Sequence, residues 1–545
     1  EIERVDAVEL EPAMKIVAEA CRPVNHDALA NAKIDLAFGD AREVLLTTPE
    51  RYDLVFSEPS NPYRAGVASL FTREFYRAIA DRLNPGGVFL QWIQAYEIDA
   101  RSIRTIYATL AAVFPRVETW RTKSSDLILV ARSDDRPIDL DELRRRVTQP
   151  PYREALMSTW RVDTAEGVLS RFVAGPGLAK AIAEAEGEVG VNTDDRNVLE
   201  FSVARAVGRP HDFEVEDLQE ASVERGEALP AMVGDLRSLD LDRIWDAMVT
   251  MNVVESGMPA RPMNLAPTEA AMHRRQALVA WMGGQPRQVI AEWEAQPLPP
   301  TAPVMTMAIA DAYAIAGDEA KAMPIIEHLR TFQPVEADAI VAKLRWARGD
   351  ALGAWEALER AIIAYRTDPW PSNKLMASAL SIASAIGARQ PALNRRIYDA
   401  LSEPFVVHGL HYLRIQERLT VSLALDDPAL CVAAVADFTV HFPWFRSLLE
   451  QRLACYERAK HPLTPLAAAE LEQYIDDAGT HVAWDLTPAQ KAPAIPMPPP
   501  PVAPEATGSG GAGGEHGGGG GPDGGGGRRP AEGAPRPGSG GGEDE

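Results

Sequence analysis

Cysteine is scarce: Cys21, Cys431 and Cys455 are the only three in 545 residues. So few, so widely scattered, they argue against a disulfide framework or a cysteine-ligated zinc site and point to a reducing compartment. Long apolar runs are lacking too. The longest small or apolar stretch, 376–388, falls well short of the roughly 20 residues a membrane span needs, and no signal peptide opens the sequence. Basic charge is in deficit, with 55 Lys and Arg against 78 Asp and Glu, a net of −23. That excludes a nucleic-acid partner, which needs a basic surface, and suits a protein that attracts small cations. A glycine-rich turn is missing where an α/β domain would begin. The chain opens at Glu1, is already in a strand by Val5, and shows no G-x-G after a strand nearby. The expectation is a natural N-terminus further upstream, a cytoplasmic chain as it stands, and membrane attachment of the natural protein if apolar spans precede it.

What is present is an ordinary globular composition, 46% hydrophobic, long enough for two or three domains. Residues 1–132 alternate strand and helix patterns, which predicts a parallel sheet. Strands are expected at 5–10, 34–38, 54–56 (buried) and 88–93, with a closing pair near 117–120 and 127–131. Helices are expected at 12–21, 72–83 and 99–113, the second broken by Asn84-Pro85-Gly86-Gly87. Residues 133–205 read as a helical appendage closing on Asn192-Thr193-Asp194-Asp195, and 206–229 as an acidic linker.

From 230 to 485 the pattern is helical. Gly284, Gly317 and Gly349 recur at intervals of 33 and 32, Gly387 following more loosely. Ala322 and Ala354 lie five residues beyond the second and third, and Pro334 lies 17 beyond Gly317. This region resembles tetratricopeptide repeats, in which glycine makes the turn between two helices and a small residue sits where they touch. Such an array implies a protein or peptide partner. Trp281, Trp293, Trp346 and Trp355 are expected in its core. The tail, 486–545, is rich in proline and glycine and is expected to be disordered.

Chemistry-bearing residues concentrate near the start. Glu9 ends the first strand, where a carboxylate can accept both hydroxyl hydrogen bonds of a ribose. Asp40, followed by Ala41, ends the second, where an aspartate can meet an adenine amino group. Glu58 follows the third, in a loop stiffened by Pro59 and Pro62 and carrying Asn61. In doubly wound folds such strand ends line one crevice. His408 and His411 share a helical spacing without a third ligand nearby, so no metal is expected.

Val8-Glu9-Leu10-Glu11-Pro12, Gly39-Asp40-Ala41, the loop 58–71, Leu83-Asn84-Pro85-Gly86-Gly87 and Gln91-Trp92 together resemble the spermidine synthase (polyamine aminopropyltransferase) family. Tyr96-Glu97-Ile98, Val113-Phe114-Pro115 and the run 192–201 look like its bacterial branch, often fused to membrane segments. The resemblance spans about 5–205. It implies a Rossmann-like fold of the S-adenosylmethionine-methyltransferase type whose first strand is missing here. It also implies decarboxylated S-adenosylmethionine as co-substrate, no metal, and a putrescine-like polyamine acceptor. Glu9, Asp40 and Ala41 then bind the nucleoside, Glu58 deprotonates the attacking amine, and Asn61 and Gln91 face the polyamine. Two positions depart from the family. Glu58 replaces an aspartate, moving the carboxylate by about 1.5 Å. Asn61 replaces a second aspartate, removing one ion pair worth about 1.5–3 kcal/mol in a desolvated site. The alternatives are a scaffold whose crevice has decayed and which acts through its repeats, and a methyltransferase, to whose N-P-P-Y motif Ser60-Asn61-Pro62-Tyr63 is faintly similar.

Overall fold

The computed structural model describes residues 2–479 except 65, 124, 188–189, 203, 205–212, 253–266, 301 and 439–441. The predicted disordered tail lies outside the described residues.

Strand β1 (Val5–Glu9) pairs in parallel with β2 (Ile34–Phe38), Glu9 standing opposite Phe38. The intervening helix Ala13–Ala20 buries none of its side chains, and Ile16 is 71% exposed. A separate five-stranded sheet has the order β3–β4–β6–β5–β8, built from Tyr52–Ser57, Leu83–Gln94, Asp126–Arg132, Arg116–Lys123 and Phe172–Ala174. Only β3 and β4 are parallel within it; β4, β6, β5 and β8 alternate in direction. The expected parallel sheet is therefore a mixed one. The turn between β5 and β6 is too short for a crossover, so those strands must be antiparallel.

Local signals set the helices. Thr72 caps the helix Arg73–Arg82 by accepting from the Phe75 N–H at 3.3 Å, and Phe75, Tyr76 and Ile79 form its buried face. Asp99 caps Ala100–Ala111 in the same way, accepting from Ser102 at 2.7 Å. Gly87 lets β3 and β4 approach: a Cβ there would lie 2.9 Å from the Asn84 carbonyl and 3.1 Å from that of Tyr52. The expectation that β3 is buried fails. Leu54 and Phe56 are each 51% exposed, because β3 is the sheet's edge strand and only β4 pairs with it among the described residues.

The predicted linker 206–229 also differs. Its described part contains the helix Val215–Glu224, with Val215 and Leu218 in the same core as Phe89 and Leu127. These two apolar residues at i and i+3 form a stripe that the surrounding acids mask in the sequence. A two-residue strand β7 (Ile138–Asp139) pairs with β9 (Met232–Val233), tying the appendage to the segment that leads into the helical array.

From Leu241 onward the chain is helical. The hairpins Glu269–Met282 with Pro286–Glu294, Pro303–Ile315 with Glu319–Arg330, and Pro334–Ala347 with Ala351–Tyr365 pack into one core that includes Trp281, Trp293 and Trp355, with Trp346 packed against it. Gly284, Gly317 and Gly349 sit in the three turns with φ of +68°, +73° and +83°, a conformation that disfavours other residues. Ala322 and Ala354 are fully buried. Gly387 breaks the series, lying buried inside the helix Ala383–Arg389.

Cys431 and Cys455 correct a further expectation, for the structure joins them in a disulfide, Cα to Cα 5.7 Å. Their helices, Pro428–Ala436 and Arg446–Ala459, pack together, an adjacency that a 24-residue separation hides. Among the described residues no helix is long and apolar enough to cross a membrane.

Candidate functional site

Parallel pairing of β1 with β2 brings their carboxyl ends together, and the Gly39 N–H donates to the Glu9 carbonyl at 3.0 Å. The Glu9 carboxylate accepts from the Glu11 N–H at 2.9 Å, which fixes it at the strand's mouth. Asp40 caps the helix Ala41–Thr47, accepting from the Arg42 N–H at 2.8 Å, and Ala41 is that helix's first residue. Glu9, Asp40 and Ala41 therefore share one edge.

Glu58 is exposed and directly follows β3, whose Ser57 stands opposite Gln91 of β4. Gln91 is fully buried; its amide donates to the Trp92 carbonyl at 3.1 Å, while its Oε1 has no partner. Gln94, also fully buried, leaves both its amide oxygen and nitrogen unpartnered. An unpaired buried polar group is destabilising by about 1–3 kcal/mol, so each amide has unmet hydrogen-bonding capacity near the end of β4, although the two side chains, three residues apart on one strand, point to opposite faces of the sheet.

Asn61 donates to the Tyr63 hydroxyl, which donates to Glu97 at 2.6 Å. Burial, and next the bond to Glu97, push the Tyr63 hydroxyl's pKa up. Glu97 has φ +53°, in the left-handed region that costs a residue with a side chain about 1 kcal/mol. Sequence reasoning matched Tyr96-Glu97-Ile98 to the family without giving Glu97 a role. The missed signal is its offset, three residues beyond Gln94 at the end of β4.

The two groups are distinct. No ladder joins β1 to β3 among the described residues; the Tyr52 hydroxyl reaches across to Asp6 at 3.1 Å near the strands' starts. The run 192–201 braces the site from behind. Asn192 accepts from the Arg73 N–H at 2.9 Å through its carbonyl and donates to the Phe71 carbonyl at 3.2 Å. Asp194 forms a two-pronged pair with Arg42, whose guanidinium holds that carboxyl below the usual range and also reaches the Ser69 carbonyl at 3.2 Å. Among the described residues no three His, Cys, Asp or Glu side chains converge as a metal site.

The comparisons fall on this same region. Residues 1–123 match the profile described as "Spermine/spermidine synthase domain". Over that stretch the chain is similar to this domain family. It is similar to a thermospermine synthase of Arabidopsis thaliana, 26% identical over 145 residues, covering 24% of this chain and 43% of that protein. Polyamine aminopropyltransferase 2 of Hyperthermus butylicus is 28% identical over 121 residues, covering 22% of this chain and 40% of its own length. The polyamine aminopropyltransferase of Nitrosomonas europaea is 27% identical over 156 residues, covering 27% and 48%. The chain thus spans less than half the length of these curated relatives.

Proposed function

We propose that the spermidine synthase domain forms part of an aminopropyltransferase site that uses decarboxylated S-adenosylmethionine and a polyamine acceptor. The observation that carries this is the placement of an exposed carboxylate, Glu58, one residue beyond the end of β3, at the same sheet edge as Gln91 of β4, whose buried amide oxygen has no partner. Glu9 and Asp40, with Ala41, grip the nucleoside from the neighbouring edge. The amine's lone pair attacks the aminopropyl carbon next to the sulfonium. The C–S bond breaks with its electron pair going to sulfur, leaving methylthioadenosine, and the proton from nitrogen passes to Glu58. An alkylammonium has a pKa near 10.4, so a base beside the attacking nitrogen raises the reactive fraction. The sulfonium leaves without acid help, and positioning supplies most of the remaining rate.

Glu97 gives the acceptor a second carboxylate where Asn61 cannot, held toward the loop through Tyr63. The three glycine-turned hairpins are tetratricopeptide-like and dock a protein or peptide. The divisions 1–132, 133–205 and 230–485 remain part of the same proposal.

The test supplies decarboxylated S-adenosylmethionine with a panel of diamines and measures methylthioadenosine. Release that falls about 10²–10⁴-fold in Glu58→Gln supports the reading. No release, release indifferent to Glu58→Gln, or S-adenosylhomocysteine formed from S-adenosylmethionine overturns it.

A further inference from the structure

A cavity of about 1080 Å³ opens between residues 123–171 of the sheet region and residues 243–407 of the helical region. None of the residues assigned to aminopropyl transfer lines it. Its sheet-side wall includes Lys123 and Ser125, at the turn from β5 to β6, where the Ser125 carbonyl accepts from the Ala95 N–H at 2.7 Å. That turn stands at the same edge of the sheet as Glu58, displaced by three strands, about 14 Å. Clefts of this size at the meeting of two structural regions are where small ligands bind.

The lining runs against the charge of the chain. In a protein of net charge −23, five Lys or Arg residues face the cavity against two carboxylates, Asp163 and Asp246. Arg161 and Arg243 are offset by Glu336 at 3.4 Å and Asp240 at 3.5 Å. Lys374 is not: among the described residues no carboxylate lies within 4 Å of it. Its ammonium donates to the Met282 carbonyl at 3.3 Å and sits 5.6 Å from the centre of the Trp281 ring. The nearest acid, Asp311, is already taken by Lys343 and by the Trp281 indole N–H. Burial pushes the Lys374 pKa down, Asp311 opposing and Lys343 reinforcing the shift. Burial pushes both Asp163 and Asp246 up, and Asp246 is already engaged by Arg274 at 2.7 Å.

Aromatic surface completes the cavity. The Arg171 guanidinium lies 4.9 Å over Trp160 as Lys374 does over Trp281, so each of these rings already has a cation on one face. Trp370, 43% exposed, adds a third indole, and Met251 and Met307 supply apolar wall.

We propose that this cavity is a binding site for a small organic anion, a carboxylate or phosphate on an aromatic or aliphatic body, with Lys374 as its principal counter-ion. A cationic ligand, polyamines and decarboxylated S-adenosylmethionine included, would add charge to an already positive wall. A neutral apolar ligand would leave Lys374 desolvated and uncompensated. An anion with an apolar body satisfies both, and its head gains a charge-assisted hydrogen bond. Because the walls come from both regions, the bound anion also ties the sheet region to the helical one. The proposal does not depend on aminopropyl transfer.

The test is calorimetric titration of the full chain with indole-3-acetate, octanoate and phenyl phosphate, set against tryptamine, which carries the same ring with the opposite charge. Binding of at least one of the anions, indole-3-acetate at least tenfold tighter than tryptamine, and a tenfold or greater loss in Lys374→Gln are expected. Lys374→Arg, which keeps the charge, should retain the greater part of the affinity, and thermal melts check that both variants fold. No binding by any of the three anions, tryptamine bound as well as indole-3-acetate, or affinity indifferent to Lys374→Gln overturns the proposal.

Discussion

Two helices of this chain, both rich in alanine and larger apolar residues, have opposite fates. Ala13–Ala20, which follows β1, buries nothing. Pro303–Ile315, in the helical array, buries every residue from Pro303 through Ala314. The contrast extends to their neighbourhoods. Among the described residues of 2–60 only Leu45 is buried, whereas the array forms one core from Trp245 to Cys455. Ala13–Ala20 is amphipathic and Pro303–Ile315 is apolar nearly all round, and neighbours decide which one contributes to stability. The first sixty residues are therefore held chiefly by ladders and polar braces such as Arg42–Asp194, and the helical array by packing.

The strongest way to break that contrast is to remove one large side chain from each region. Trp355 is wholly buried, and Trp355→Ala is expected to destabilise the helical region by about 3–5 kcal/mol, through lost burial and the cavity left behind. Ile16→Ala, at a position 71% exposed, should stay within about 0.5 kcal/mol. Urea unfolding followed by far-ultraviolet circular dichroism measures both. Equal midpoint shifts would mean that the first sixty residues are packed against something beyond the described residues.

The same contrast governs how much the sequence revealed. The helix starts near Thr72 and Asp99, the strand ends carrying Glu9 and Glu58, and the glycine turns of the array were legible because each is a local signal, read within four or five residues. The exposure of Leu54 and Phe56 was not, because edge or centre is decided by which strands pair, and a run of apolar residues looks the same in either place. The helix Val215–Glu224 was hidden by its acids, and the Cys431–Cys455 pair by the chain between them. Tyr63 and Glu97 meet across 34 residues, and the cavity around Lys374 draws on residues more than 200 apart. No local pattern encodes these, since they arise only when separate elements assemble.

A pH dependence sharpens the comparison from the packed side. Burial, opposed by Arg274 at 2.7 Å, pushes the Asp246 carboxyl up to about 6, from an ordinary 3.8. Below the ordinary value both folded and unfolded chains hold the proton, and the group does not penalise folding. As pH rises toward and through 6 the unfolded chain ionises easily while the folded one must ionise in a poorly solvated place, so stability falls by roughly 2–3 kcal/mol. Asp246→Asn should flatten this fall between about pH 4 and 7.5. Urea midpoints across that range decide it, and parallel profiles for the two proteins would show that Asp246 is better solvated than its surroundings indicate.

The smallest expected effect tests the polar side. The Asn61–Tyr63–Glu97 chain is made of hydrogen bonds on a loop, with no large apolar surface behind it. Tyr63→Phe deletes the hydroxyl and leaves Asn61 and Glu97 intact but unlinked. A single bond of this kind contributes about 0.5–1.5 kcal/mol net, which corresponds to a few-fold to tenfold change in an equilibrium. If the chain positions Glu97 for the acceptor amine, KM for the diamine should rise by about that factor with kcat nearly unchanged, because binding is weakened equally in ground and transition states. The unfolding midpoint should not move measurably, since the bond lies at the surface. A loss confined to kcat would place Tyr63 in the proton path from the amine instead. A fall in stability with kinetics intact would mean that this loop, like the helical array, is held chiefly for packing.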